Sequence, residues 1–422
     1  MHRKARIVPP AVLLACSLLL TGTSSLAVAP QRTASPKPSA TAESAEAEEA
    51  VDGEEPVEGE PSAEADQPTP PQLSPQMAAL RDAVGGALAR MAAYPFNTRD
   101  NTAGQVMELC LAFGCDAQVG YGGSSGKKVN AIGCLCWNYP CAGYRLLRQN
   151  EGQAMGRVGY GLQARPSQFL AVLAQSRVPR DYEIRVDDFQ GTVADLIEFE
   201  KRNCRSGNDL SDTLIGLAYY LEDDSSWEND LGESWSIERL VGEESARSVS
   251  ASNPDVTGRL MGLSYAVDRK RRREEPLEGV FLEAEEHLSK FQDYALGVQN
   301  ADGTWHSSFF TYKGTSRDAT AALRSTGHIL EWLTFSLPQE RLEEPRVVRS
   351  VTYVAKLLGN RRSRWNVTSM SDQDLASLMR AAHALSIYDQ RLFQAPVVEE
   401  VPAEEEAPAE PDEELAYRST PE

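Results

Sequence analysis

The sequence predicts a mostly α-helical protein, built as an α/α toroid or an open solenoid of αα-hairpins. Three observations carry this. Apolar residues recur at helical spacing from about residue 165 onward, with few strand-like alternations. Helices of two kinds take turns: first members are charged and amphipathic, as in 280–298, and second members are apolar on most sides, as around Leu214–Ala218 and Leu378–Leu385. The pairs recur every 45–60 residues, with first members starting near 192, 236, 280 and 346 and second members near 209, 257, 318 and 372.

In chain order, the first element reads as an export signal. Arg3, Lys4 and Arg6 precede an apolar run from Ile7 to Leu20, and Ser25-Leu26-Ala27 fits a small-x-small cleavage site. The predicted signal is 1–27. Leu13-Leu14-Ala15-Cys16 also resembles a lipobox, so attachment to a membrane arises only through a lipid on Cys16 or an uncleaved signal. Residues 28–76 are rich in Pro, Ala, Ser and Glu and read as a disordered acidic linker, because they lack the apolar surface to offset ordering entropy. The tail 395–422 reads the same way.

These segments explain the charge. The 422 residues carry a formal −20, but 31–75 and 395–422 each contribute −9, leaving −5 for residues 76–394. The balance argues against a nucleic-acid binder, which needs a basic face. It excludes no small ligand for the body.

The body, 77–394, opens with a Cys-rich segment at 110–141, read as irregular. Cys110, Cys115, Cys134, Cys136, Cys141 and Cys204 are an even set in a chain with an export signal, which suggests disulfides. Free buried thiols and a zinc site are the alternatives; zinc lacks its usual pair of C-x-x-C knuckles. Predicted helices then follow at 167–176, 192–203, 209–221, 236–247, 257–268, 280–298, 318–336, 346–358 and 371–388. Thr192 with Asp195 is a near capping box, and Asp318 or Ser316 caps the helix at 318.

One short motif bears on the toroid. Gln299-Asn300-Ala301-Asp302-Gly303-Thr304-Trp305 resembles the QW motif, Q-x-x-x-G-x-W, of the terpenoid cyclase and protein prenyltransferase α/α-toroid superfamily. In physical terms, Asp302-Gly303 makes a tight turn that ends the outer helix, Trp305 folds back over it, and Gln299 bonds freed backbone groups. The text CWNYPCAGY, RVGYGLQ, TGHILEWLTFSLP and RVVRSVTYV is also similar to a group of exported bacterial proteins with toroid-like repeats. That likeness implies fold and export but no activity.

The superfamily's known chemistries find no footing. The D-x-D-D acid of cyclases is missing; Glu222-Asp223-Asp224 and Asp187-Asp188 read as solvated turns. No Cys follows Cys204, so the zinc triad of prenyltransferases cannot form, and C-G-E-Q is missing. No phosphate loop is present, and no metal or cofactor is expected. Inner helices line the centre of a toroid, which makes His328 and His383 candidates for acid–base chemistry with Tyr312, Arg317 and His306, in the manner of lyases that share the architecture. The bland reading is a buried, hydrogen-bonded imidazole for each. His287 reads as exposed, and Trp227, Trp235, Trp332 and Trp365 read as core. The run Arg269–Arg273 reads as a solvated patch after a helix, or as a dock for an acidic tail. The expected function is an exported, non-catalytic binding or scaffolding protein. Its candidate partners are a glycan, an isoprenoid or an envelope protein, and a cavity enzyme is the rival.

Overall fold

The computed structural model describes residues 73–394, apart from 151, 223, 249, 254, 315–317 and 363–364. The signal, residues 28–72 of the linker, the acidic tail, Cys16, Ser316 and Arg317 lie outside the described residues. The end of the expected linker is corrected, because Ser74 caps a helix that starts at Pro75 and takes in Gln76. Twelve α-helices dominate the described chain, joined by short two-stranded sheets. No helix among the described residues is long and apolar enough to cross a membrane.

Six helices face inward: α2 (Ala103–Phe113), α4 (Gln168–Gln175), α6 (Ser211–Tyr220), α8 (Asp255–Arg272), α10 (Ala319–Ser336) and α12 (Asp372–Leu392). Each packs on the next, and α12 packs on α2, so the series of contacts returns to its start. The alternate helices are α1 (Pro75–Ala92), α3 (Ala131–Cys136), α5 (Val193–Arg202), α7 (Ile237–Ala246), α9 (Gly279–Gly297) and α11 (Pro345–Gly359). All but the short α3 bury one stripe and expose the other. In α11, Val347, Val351, Val354 and Leu358 are buried at helical spacing. Close approach of inner helices uses small residues. A Cβ on Gly327 of α10 would stand 3.1 Å from the Ala381 Cβ of α12.

The predicted helices from 167 onward lie within a few residues of those observed. One differs in a telling way. The helix predicted at 257–268 runs on to Arg272, so the basic run mostly forms the last turn of α8 rather than a loop after it. Cations are favourable there. They are also paired: Lys270 with Glu275, Arg271 with Glu285, Arg272 with Asp268 and Arg273 with Glu222.

Two features refine the mostly helical expectation. The Cys-rich segment is partly regular, with turns at 121–127 and 137–140. Cys110 sits in α2, and Cys134 and Cys136 sit in α3. A capping box starts α2: Gln105 N–H donates to Thr102 Oγ1, and Thr102 N–H donates to Gln105 Oε1. Strands are also present, as four antiparallel hairpins: β1–β2 (Gln118–Gly120, Lys128–Asn130), β3–β4 (Leu147–Asn150, Gln153–Gly156), β5–β6 (Glu183–Val186, Phe189–Thr192) and β7–β8 (Ser226–Glu228, Ser234–Ser236). Three of them feed outer helices directly. The last residue of β2, β6 and β8 is the N-cap of α3, α5 and α7 respectively: Asn130, Thr192 and Ser236. Asp187-Asp188 forms the exposed tip of β5–β6, with Asp187 at φ 52°.

All six described cysteines are free thiols, and all but Cys115 are buried. Cys134 and Cys141 share a hydrogen bond that lowers the Cys134 thiol and raises that of Cys141. Burial pushes Cys204 up to about 12. Among the described residues, no group of three or more His, Cys, Asp or Glu is arranged to hold a metal ion.

Candidate functional site

The inner helices bring lone polar residues together at their centre. From α10, Glu331 is almost wholly buried and accepts from Arg380 Nη1 of α12 at 3.0 and 3.3 Å. His383 Nδ1, one turn further along α12, donates to Glu331 Oε1 at 2.7 Å. Burial alone would raise the Glu331 carboxyl, but Arg380 and the His383 hydrogen bond outweigh it and hold it at about 2. A second ion pair stands beside the first. Arg165, just ahead of α4, grips Asp212 of α6 through two hydrogen bonds of 2.9 and 3.1 Å. Gln168 Nε2 of α4 donates to Glu108 Oε1 of α2 at 3.0 Å, while Glu108 Oε2 is buried without a partner. Burial raises the Glu108 carboxyl, with Arg380 opposing.

His328 of α10 lines the space these groups leave. Its Nδ1 lies 3.4 Å from Thr257 Oγ1 of α8. Burial, then the charge of Arg380, pushes the imidazole down to about 3, so it is neutral at ordinary pH. The cavity is about 50 Å³ and is lined by Arg165, Asp212, Thr257, His328, Glu331 and Arg380, among others. That is room for a few waters. A second cavity of about 210 Å³ lies between α8, α9 and α10. Its polar walls are already engaged: Arg271 with Glu285, Gln292 with Ser336, and Arg391 with the carbonyls of Thr334 and Phe335.

Of the candidates, His328 and His383 reach the centre. Tyr312 and His306 do not. They pack tilted against each other in the loop after α9, at 4.3 Å between ring centroids, and Tyr312 is half exposed. His306 Nδ1 is occupied by the Ser308 N–H at 3.0 Å. Arg317 lies outside the described residues. His287 is half-buried rather than exposed; it accepts from Arg259 Nη2 at 3.1 Å and packs on Phe291. Trp227, Trp235 and Trp332 are core, and Trp365 is half-buried against the core. Asp318 caps α10 through Thr320 N–H at 2.9 Å.

Sequence reasoning passed over Glu108, Arg165, Asp212, Glu331 and Arg380. A usable signal existed for four of them. Each is a lone charge inside an apolar helix, as in GQVMELCLAF, SDTLIGLA, HILEWLTF and SLMRAAHAL.

The residues 299–305 bind α9 to α11. Trp305 is buried and its Nε1 donates to the Ala295 carbonyl at 2.8 Å, in the last turn of α9. Gln299 Nε2 donates to the Arg346 carbonyl at 3.1 Å, and Arg346 Nη1 returns a bond to the Leu296 carbonyl at 2.8 Å. Asp302 Oδ1 accepts from Thr304 N–H and Oγ1. Gly303, at φ +91°, lies so close to Arg349 that a Cβ would meet its carbonyl at 2.8 Å. These bonds take up carbonyls that the end of α9 would otherwise leave orphaned.

One buried acid gives a pH-dependent expectation. Glu200 of α5 accepts from Ser167 Oγ at 2.6 Å, and Ser167 Oγ also lies 2.7 Å from Thr213 Oγ1. Burial drives its carboxyl from an ordinary 4.5 up to about 7, against the Ser167 bond. A raised folded pKa stabilises fully below the unfolded value and is lost as pH rises through the folded value. Glu200→Gln keeps the acceptor and has no proton to lose. Its stability advantage over the parent is expected to be absent near pH 4.5 and to grow through pH 7 toward roughly 3 kcal/mol. Denaturant titrations at several pH values read this, and a gap that stays constant with pH would sink it.

No protein-family model, curated protein or solved structure matches this chain.

Proposed function

We propose that the protein is a non-catalytic binding or scaffolding module of the cell envelope, exported by its N-terminal signal and built on a closed α/α toroid of six hairpins. The return of helix contacts from α12 to α2 supports the toroid over the open solenoid. The observation that carries the non-catalytic reading is the filled centre. Glu331 with Arg380 and His383, and Arg165 with Asp212, occupy the space between the inner helices and leave about 50 Å³. Pockets for organic ligands run to roughly 300–1,000 Å³. An isoprenoid or a sugar ring would first have to break buried ion pairs, which costs several kcal/mol. Tyr312 and His306 pack on each other in the loop after α9 and do not line that space, which speaks for the non-catalytic reading.

The test is a thermal-shift and turnover panel on the full chain and on His328→Ala. Squalene, geranylgeranyl diphosphate and oligosaccharides are expected to undergo no turnover, and any shift is expected to be the same in both proteins. A ligand that stabilises the parent but not His328→Ala would restore the cavity-enzyme reading. Export is tested by sequencing the N-terminus of the secreted chain. Cleavage after Ala27 is expected, and an intact Met1 in a cytosolic fraction would refute it.

A further inference from the structure

The basic patch evident in the sequence, Arg269–Arg273, is largely neutralised by carboxylates of the body. A second group of cations is not. Residues 117–160 hold five bases and one acid, in a chain of net charge −20. Lys127, Lys128, Arg145, Arg148 and Arg157 are all exposed. The three arginines donate to neutral groups: Arg145 Nη1 to the Asn138 carbonyl at 2.6 Å, Arg157 Nη1 to the Arg145 carbonyl at 3.1 Å and Arg148 Nε to Met155 Sδ at 3.2 Å. Among the described residues, none of the five forms an ion pair.

Exposed aromatic rings lie among these cations. Tyr121 is 54 % exposed, Trp137 42 %, Tyr139 38 % and Tyr160 79 %. Contacts link neighbouring members of this group. Tyr121 N–H bonds the Lys127 carbonyl, and its ring meets Tyr139 edge-on at 5.6 Å. Arg185, itself paired with Glu183, lies 4.3 Å over Trp137. Tyr160 meets Tyr144, the neighbour of Arg145, at 5.8 Å. The stretch 137–144, which presents Trp137 and Tyr139, is held firmly from beneath. Asn138, at φ 53°, is buried and bonds both N–H and C=O of Leu147, and the Ala142 N–H bonds the Thr98 carbonyl. A strained loop pinned in this way presents its side chains without further ordering cost.

We propose that this face binds a polyanionic glycan, a saccharide polymer bearing carboxylates. The inference rests on the binding-module reading above and names its ligand class. Unpaired cations supply charge complementarity to the carboxylates. The aromatic rings supply flat apolar faces, on which the C–H faces of sugar rings stack. A peptide of acidic residues would use the first feature and not the second.

The probes are polygalacturonate, neutral pullulan and polyglutamate, each titrated against the full chain at low and at 0.5 M salt. Polygalacturonate is expected to bind, to weaken with salt, and to be preferred over both controls. The triple variant Arg145→Ser/Arg148→Ser/Arg157→Ser is expected to lose at least tenfold in affinity. Trp137→Ala with Tyr160→Ala is expected to lose several-fold. These residues are exposed, so an unchanged melting temperature in each variant is the control for folding. Failure to bind polygalacturonate would overturn the proposal. So would polyglutamate binding as tightly with no effect of the aromatic substitutions, which would assign the face to an acidic peptide such as 395–422. His328→Ala is expected to leave this binding intact, so failure here and failure of the closed-centre reading are separable.

Discussion

Arg380→Met is expected to destabilise the protein by about 3–5 kcal/mol, read as a fall in the denaturant midpoint at constant slope. The substitution is close in volume, so packing is not the reason. It strips Glu331, buried at the centre, of the cation that keeps its carboxyl near 2. The remaining bond from His383 satisfies one oxygen only. The companion Glu331→Leu/Arg380→Met is expected to recover much of the loss, because it removes both buried charges together. A double variant as unstable as the single would show that size and not charge decides the site. The same pair sets the acid response of the parent. A carboxyl held below its unfolded value of 4.5 stabilises above that pH, and this is lost as pH falls toward 2. The loss amounts to roughly 3 kcal/mol and should be missing from the double variant.

Trp305→Ala is expected to cost a similar amount, about 3–5 kcal/mol. The indole is 1 % exposed and closes the space behind the end of α9. Its removal leaves a cavity and also strips the buried Ala295 carbonyl of that bond. Trp305→Phe keeps much of the volume and loses the bond, so about 1–2 kcal/mol is expected. Equal costs for the two variants would place the effect in the hydrogen bond alone.

The sequence was most legible where a helix had one wet side. In α9 and α11 the polar and apolar faces separate at 3.6-residue spacing, and their bounds could be read to within a residue. Legibility failed for α2. Nine of its eleven residues are buried, so it has no stripe to reveal its period, and its cysteine drew attention to cross-links instead. The hairpins failed for the opposite reason. Strands of three or four residues, such as Ser226–Glu228, are too short for alternation to register.

The centre was half legible. Histidines in apolar helices stood out, and two of them do reach it. Their charged companions did not stand out, because Glu331 and Arg380 are ordinary helix formers and only their burial makes them unusual. Tyr312 and His306 were misplaced because they sit in a loop, where sequence gives no periodicity to fix the direction of a side chain. The cationic face at 117–160 was hidden by dispersion. Its charges are spread over several turns and hairpins and only folding gathers them.

The bonds between α2 and the approach to α12 set an order of events during synthesis. Asn101 Nδ2 donates to the Val367 carbonyl, and Gln105 Nε2 donates to the Met370 carbonyl and to Asp372, across more than 260 residues. The wall that α12 completes is therefore missing until the final stretch of the body leaves the ribosome. Until then α2 has only one of its two inner-helix neighbours, and the buried charges of α10 lack their counter-ions.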